Sequence, residues 1–238
     1  MIKELNDEDK NLKPVLQQTQ CYVQPFRVLN LYACLGGNRL LWDDCEVTAI
    51  ELDPELARLY TERFPNDTVI IADAHQYLLD HYKEFDFIWS SPPCPSHSRI
   101  NISQYTRETW IPKYPDFKLY EEVVFLDNYY KGKYCVENVI PYYEPLIPGQ
   151  QRGRHLYWTN FKLPQNINER KNPDLSRTKN LIEVLAKYHN YDFTKYKGEQ
   201  RIDKVARNLV DYEAGKTIFE VARGIFQKPK GKQTALFG

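Results

Sequence analysis

A cysteine that follows two prolines at the end of an apolar run is placed to act as a nucleophile. Residues 85–98 read Phe-Asp-Phe-Ile-Trp-Ser-Ser-Pro-Pro-Cys-Pro-Ser-His-Ser, with the thiol at Cys94. A strand that stops at Pro92-Pro93 presents the sulfur at the carboxyl edge of a sheet, where ligands bind in open α/β folds. A thiolate there could add to an electrophilic carbon, provided a base or a lowered pKa frees it of its proton. A free cysteine is more often inert core, so this residue alone decides little. Three further segments bear on it: Gly36-Gly37, Glu137-Asn138-Val139, and Gln150-Gln151-Arg152-Gly153-Arg154. A carboxylate and two guanidiniums could neutralise charge developing on a substrate under attack.

These groups need elements to hold them. Residues 27–33 form an apolar run that ends at the Gly-Gly turn, a strand and then a turn. Residues 47–52 are a second β-type run. Asp53-Pro54 then opens a helix, with Asp as N-cap and Pro at the first helical position. Residues 68–72 are a third strand ending at Asp73, and residues 75–81 a helix. Residues 85–91 are the fourth strand, residues 120–130 a helical stretch and residues 133–139 a fifth strand. Strands alternating with helices predict a doubly wound, mostly parallel α/β sheet. Residues 165–204, rich in Asn, Lys, Arg and Tyr, interrupt the pattern, and residues 204–223 return to helical periodicity.

The 238 residues fit one domain with a small appendage. No apolar stretch approaches the length of a membrane span, and residues 1–9 are polar rather than a basic and apolar leader. Five cysteines without C-x-x-C spacing argue against a disulfide framework or a metal site. A reducing cytoplasm, in a bacterium or as a viral protein in a bacterial host, fits and would keep Cys94 free. The net charge of zero hides an asymmetry. Residues 1–149 carry 14 Lys+Arg against 23 Asp+Glu, a net of −9, and residues 150–238 carry 18 against 9, a net of +9. The basic half is the one expected to meet a polyanion, an unevenly charged solvated surface being the alternative.

Together the segments resemble the cytosine carbon-5 DNA methyltransferase family, in its small prokaryotic or phage type. Glu137-Asn138-Val139 matches the family's Glu-Asn-Val, and Gln150, Arg152 and Arg154 match its Gln-x-Arg-x-Arg. The nucleophile motif Pro-Cys-Gln-x-Phe-Ser reads Pro93-Cys94-Pro95-Ser96-His97-Ser98 here, and Phe-Ala-Gly-x-Gly-Gly reads Tyr32-Ala33-Cys34-Leu35-Gly36-Gly37. Arg207-Asn208-Leu209-Val210 is similar to Gly-Asn-x-Val. The resemblance implies a Rossmann-like methyltransferase sheet with a small C-terminal recognition region. It divides the chain into an extension (1–26), a catalytic and cofactor-binding domain (27–164), a target-recognition region (165–204) and a returning segment (205–238).

What the resemblance implies chemically is transfer of a methyl group from S-adenosylmethionine to cytosine. Cys94 adds to ring carbon 6, which makes carbon 5 nucleophilic. Glu137 contacts ring nitrogen 3 and the exocyclic amine, Arg154 supports the same edge, Arg152 is a structural or phosphate contact, and Asn138 holds the loop backbone. The cofactor side comprises Tyr32, Gly36, Gly37, Glu51, Leu52, Asp73, Pro93, Asn208 and Val210, with Glu51 accepting from ribose hydroxyls and Asp73 from the adenine amine. The partner is double-stranded DNA with the target base flipped out. Residues 95–110 form a mobile closing loop, and Ser96, Ser98, Arg99, Lys171, Arg177 and Lys179 contact nucleic acid. Three rivals stand beside this reading. Exocyclic amino-methyltransferases share Ser91-Pro92-Pro93 but carry an aromatic residue next. The transfer-RNA branch shares Ser98-Arg99 but has a later Cys-Phe-Thr, whereas no cysteine follows Cys135 here. The short recognition region also fits one subunit of a two-chain enzyme. Neither the target site nor a cognate restriction nuclease is legible.

Overall fold

A computed structural model describes residues 24–103, 111–171, 173 and 180–227. Five parallel strands form its centre: β1 (Phe26–Leu31), β2 (Cys45–Glu51), β3 (Thr68–Ile71), β4 (Phe87–Ser90) and β5 (Lys133–Val139). The hairpin β6 (Gln150–Arg152) and β7 (His155–Thr159) completes a seven-stranded sheet in the order β3-β2-β1-β4-β5-β7-β6, with β7 antiparallel to β5. The chain runs one way from β1 to β3 and then restarts beside β1 at β4. That reversal opens a crevice at the carboxyl ends of β1 and β4, the usual ligand position in such sheets. The arrangement is the Rossmann-like methyltransferase fold, mostly parallel as the sequence predicts; the antiparallel hairpin was not foreseen.

Both faces of the sheet are covered, which is why its strands read as continuous apolar runs. All four residues of β4 are buried. Leu29, Leu31, Ile88 and Val136 face one core with α2 (Ala74–His81) and α4 (Lys118–Tyr129). Val28, Phe87, Trp89 and Cys135 face the other with α7 (Tyr212–Ala222). Trp42 anchors α7. Its ring stacks on Phe219 at 5.1 Å and its indole N–H donates to Gly215 O at 3.1 Å. A buried indole of this kind is worth about 3–5 kcal/mol against alanine.

A third core joins the two ends of the site. Leu35 after β1, with Leu56 and Leu59 of α1 (Pro54–Arg63), packs against Leu185, Phe193, Tyr196 and Val205. The last four come from α5 (Leu181–His189), a short turn and α6 (Ile202–Arg207). Asp53 caps α1 as the sequence predicts, accepting from Glu55 N at 2.9 Å and Leu56 N at 3.3 Å. Its other oxygen accepts from the Tyr196 hydroxyl and the Gln200 amide. Much of the interval 180–204, expected to read the target, is thereby docked on α1. Among the described residues, no helix is long and apolar enough to cross a membrane.

The end of α5 carries a pH-dependent contribution to stability. His189 is 4% exposed, and burial, followed by the nearby Arg170 charge, pushes its pKa down to about 4. An unfolded histidine titrates near 6.5. The depressed folded value means that the stabilisation is full above about 6.5 and is lost as pH falls toward about 4, on the order of 3 kcal/mol in total. His189→Gln should flatten this dependence. Urea midpoints of both proteins at pH 7.5 and pH 5 check it: wild type should lose distinctly more than the variant, and equal losses would contradict the assignment.

Candidate active site

The crevice holds a cavity of about 590 Å³. Its cofactor-side wall starts at the turn after β1, where Tyr32, Cys34 and Gly36 all have positive φ (55°, 48° and 65°). Cys34 stands where the family pattern has glycine, in a left-handed conformation that costs a non-glycine residue about 1–2 kcal/mol. Its thiol is pushed up to about 12 by burial and by Glu51, so it stays neutral. The Tyr32 hydroxyl donates to the buried Glu122 at 2.6 Å, and Ser90 Oγ donates to the other oxygen of Glu122 at 2.5 Å. Gly37 needs to be glycine, because a Cβ there would fall 2.5 Å from Val210 O.

Two carboxylates end adjacent strands, as the sequence predicts. Glu51 accepts from the backbone N–H of Cys34 at 2.7 Å and of Asp53 at 2.9 Å. Burial raises its pKa despite those donors. Asp73 caps α2 by accepting from Gln76 N at 3.0 Å, which with Lys118 nearby holds its carboxyl below the usual range. Leu52, 66% exposed, offers an apolar surface between them. Tyr32, Gly37, Glu51, Leu52, Asp73, Pro93, Asn208 and Val210 all line the cavity. Gly36 does not; it packs beneath the rings of Tyr60 and Phe64.

The opposite wall carries three of the residues expected to act chemically. Cys94 follows β4, and the Asn138 amide pins the approach by donating to Pro92 O at 2.9 Å. The N–H groups of His97 and Ser98 both donate to Cys94 O at 3.0 Å, closing a tight turn. Burial and then the charge of Glu137 raise the Cys94 thiol, while Lys204 and Arg154 pull it down. Glu137 is 6% exposed at the end of β5. Cys94, Glu137 and Arg154 share the cavity wall.

Arg152 lies elsewhere. Its guanidinium donates to Pro164 O at 2.5 Å, Leu163 O at 2.8 Å and Gln151 O at 2.7 Å, so it fixes the loop after β7 instead of entering the cavity. Gln150 does similar work through Thr159 Oγ1, Phe161 O and Leu163 N. Ser96, Ser98, Arg99 and Lys171 are outside the cavity lining. Ser96 Oγ accepts from Asp116 N at 3.0 Å, Ser98 bridges to Pro141 and Arg99 Nε reaches Pro141 O at 3.5 Å. Arg177, Lys179 and residues 104–110 of the expected closing loop lie outside the described residues. Among the polar residues of the cavity that the motifs did not indicate are His155, Gln200 and Lys204.

Residues 26–139 match the family model described as C-5 cytosine-specific DNA methylase. No curated protein matches the chain. Among solved structures, DNMT2 of Spodoptera frugiperda is 21% identical with a TM-score of 0.33, over 48% of this chain and 35% of that one. The Entamoeba histolytica methyltransferase EhMeth is 13% identical with a TM-score of 0.32, over 49% and 38%. The putative methyltransferase yhhF of Escherichia coli is 16% identical with a TM-score of 0.36, over 56% and 73%. The chain thus spans little more than a third of the first two. The part of the chain from β1 to the end of β5 is a match to the C-5 cytosine-specific DNA methylase family.

Proposed function

We propose that this chain methylates carbon 5 of cytosine in double-stranded DNA, with S-adenosylmethionine as donor and Cys94 as nucleophile. The observation that carries this reading is the meeting of Cys94, Glu137 and Arg154, from three separate segments, on one cavity whose other wall bears Glu51 and Asp73. The donor's chemistry fits that wall: a buried carboxylate for ribose hydroxyls, a partly exposed one for an amine, and Leu52 for an apolar ring face. The volume also suits a nucleoside-sized ligand. When bound, S-adenosylmethionine supplies an electrophilic methyl carbon.

The protein's own residues supply the rest. The Cys94 thiol releases its proton to solvent and the sulfur bonds to ring carbon 6. Glu137, charged in the resting protein and protonated from solvent when the base is bound, donates that proton to nitrogen 3, so the electron pair moves to carbon 5 instead of leaving a charged ring. Arg154 holds the same ring edge, and Lys204 adds positive charge beside the thiolate. Once carbon 5 carries its methyl group, with the thioether S-adenosylhomocysteine left behind, its proton is lost to solvent, the Cys94–carbon bond breaks and nitrogen 3 returns its proton to Glu137. The base must leave the duplex to reach Cys94, at a few kcal/mol of stacking and pairing.

Bisulfite sequencing of DNA from cells expressing the chain tests the reading. Methylated cytosine at a defined short site is the expected result. Methylation of transfer RNA with unmodified DNA would support the RNA branch instead, and activity only with an added protein would support a two-chain enzyme. DNA affinity should fall steeply with salt, because the basic half would displace counterions from phosphates. Glu51→Ala should weaken S-adenosylmethionine by about tenfold or more, the loss of a charge-assisted hydrogen bond of about 1.5–3 kcal/mol. Asp73→Ala should cost less, because its carboxylate is half-exposed. Calorimetry showing unchanged affinity for both would remove these carboxylates from the pocket.

A further inference from the structure

The side chain behind Glu137 is a histidine held between two carboxylates. His155 opens β7 directly after Arg154, and the β5–β7 register sets it beside Val139, two residues from Glu137 on the same face. His155 Nε2 lies 3.6 Å from Glu137 Oε1, and His155 Nδ1 lies 3.5 Å from Glu169 Oε1. The three side chains are 13%, 8% and 15% exposed. His155 Nδ1 is buried with no hydrogen-bond partner, so Glu169 is the acceptor it faces. Glu169 is seated by Gly153, which has φ +53°, because a Cβ there would overlap the Glu169 carboxylate. The turn between the two arginines is thus shaped around Glu169.

We propose that His155 is a positioning residue for Glu137, with Glu169 behind it fixing the imidazole; the proposal rests on the cytosine-methylating reading above. A strand-end carboxylate alone can rotate or turn toward the Arg154 guanidinium on the same wall. An imidazole whose far nitrogen is claimed by Glu169 directs its near nitrogen at Glu137, and the carboxyl that must meet a ring edge keeps one orientation. The other groups facing this line are Arg154, Cys94, Lys204 and the buried Tyr157 phenol, whose pKa is raised by burial and then by Glu137 and Glu169. The phenol stays neutral, so it does not compete as a cation or an anion. Glu169 lies outside the cavity lining, which makes its contribution indirect.

The test uses the full chain with labelled S-adenosylmethionine and duplex DNA. His155→Ala should lower kcat by about 10- to 100-fold, the range expected when a reacting group is misplaced by about 1 Å. KM for DNA and the calorimetric affinity for S-adenosylmethionine should not move. His155→Gln should recover most of the loss, because its amide offers both a donor and an acceptor with which to hold Glu137. Adding Glu169→Gln to His155→Ala should cost nothing more, since Glu169 acts through His155. Wild-type kcat in His155→Ala would overturn the proposal, as would His155→Gln failing equally with a lowered melting temperature. A readout without turnover separates this from failure of the proposed function. In the resting protein, the ring ¹⁵N signals of His155 should shift on Glu169→Gln and on Glu137→Gln, and unmoved signals would overturn the line. A wild-type chain that methylates neither DNA nor RNA, yet shows those shifts, would leave the proposed function at fault.

Discussion

Replacing Cys94 by serine should lower methyl transfer by more than about a thousandfold, on the scale seen when other enzymes lose a nucleophile, and should leave S-adenosylmethionine affinity close to wild type. The hydroxyl cannot substitute, because it is a far weaker acid than the thiol and Glu137 already disfavours an anion there. The same geometry predicts a pH dependence. Burial and Glu137 raise the thiol, so the protein at neutral pH holds mostly the protonated form. Raising pH should speed attack by close to tenfold per unit until the thiol is ionised. An oligonucleotide containing 5-fluorocytosine, whose fluorine blocks the final loss of a proton, reads this directly as trapped complex. Wild type should trap faster at pH 8.5 than at pH 7, and the serine variant should not trap at all. Near-normal turnover in the serine variant would exclude Cys94 as the nucleophile.

Glu137→Gln should cost about 10²- to 10⁴-fold in kcat, the span of a lost general acid. The amide can still reach the ring edge but has no proton to release to nitrogen 3. KM for DNA should therefore change far less than kcat. The thiol should also ionise more easily, since a neutral amide no longer opposes the thiolate. Rapid single-turnover assays, with alkylation of Cys94 by iodoacetamide as the second measurement, separate the two effects: slower methyl transfer together with faster alkylation. A variant slowed in both would have lost the shape of the cavity rather than its acid.

The central parallel strands were legible because β1, β4 and β5 are buried on both faces, and β3, though an edge strand, is still a run of β-branched residues. The first was expected over 27–33 but is β1, Phe26–Leu31, because Tyr32 and Cys34 already take positive φ and end the extended run. The β6–β7 hairpin was not legible. Gln150–Arg152 is polar, as an edge strand can be, and its residues read as a motif instead of an element. Leu181, Ile182, Leu185 and Ala186 do recur at helical spacing, yet the polar residues around them masked α5. Spacing also cannot separate Arg152 from Arg154. The intervening Gly153, at φ +53°, turns the chain so that one guanidinium meets backbone carbonyls and the other the cavity. His155, Gln200 and Lys204 were hidden for a different reason: their place at the site depends on β7 and α6 packing, which no local pattern encodes.

The contact between Gly37 and Val210 has a consequence for how the molecule matures. The five parallel strands are all present once residue 139 has emerged from the ribosome, so a sheet could form early. Part of the cavity lining could not, because it arrives only with Gln200, Lys204 and the stretch around Val210. A ligand in the cavity would touch the first-made and last-made parts of the chain together and act as a clasp between them. At a hundred times its dissociation constant such a ligand adds about 2.7 kcal/mol to global stability. Its protective effect against a protease should concentrate on residues 190–210, which would make the supply of small molecule a checkpoint on whether the newly made chain survives.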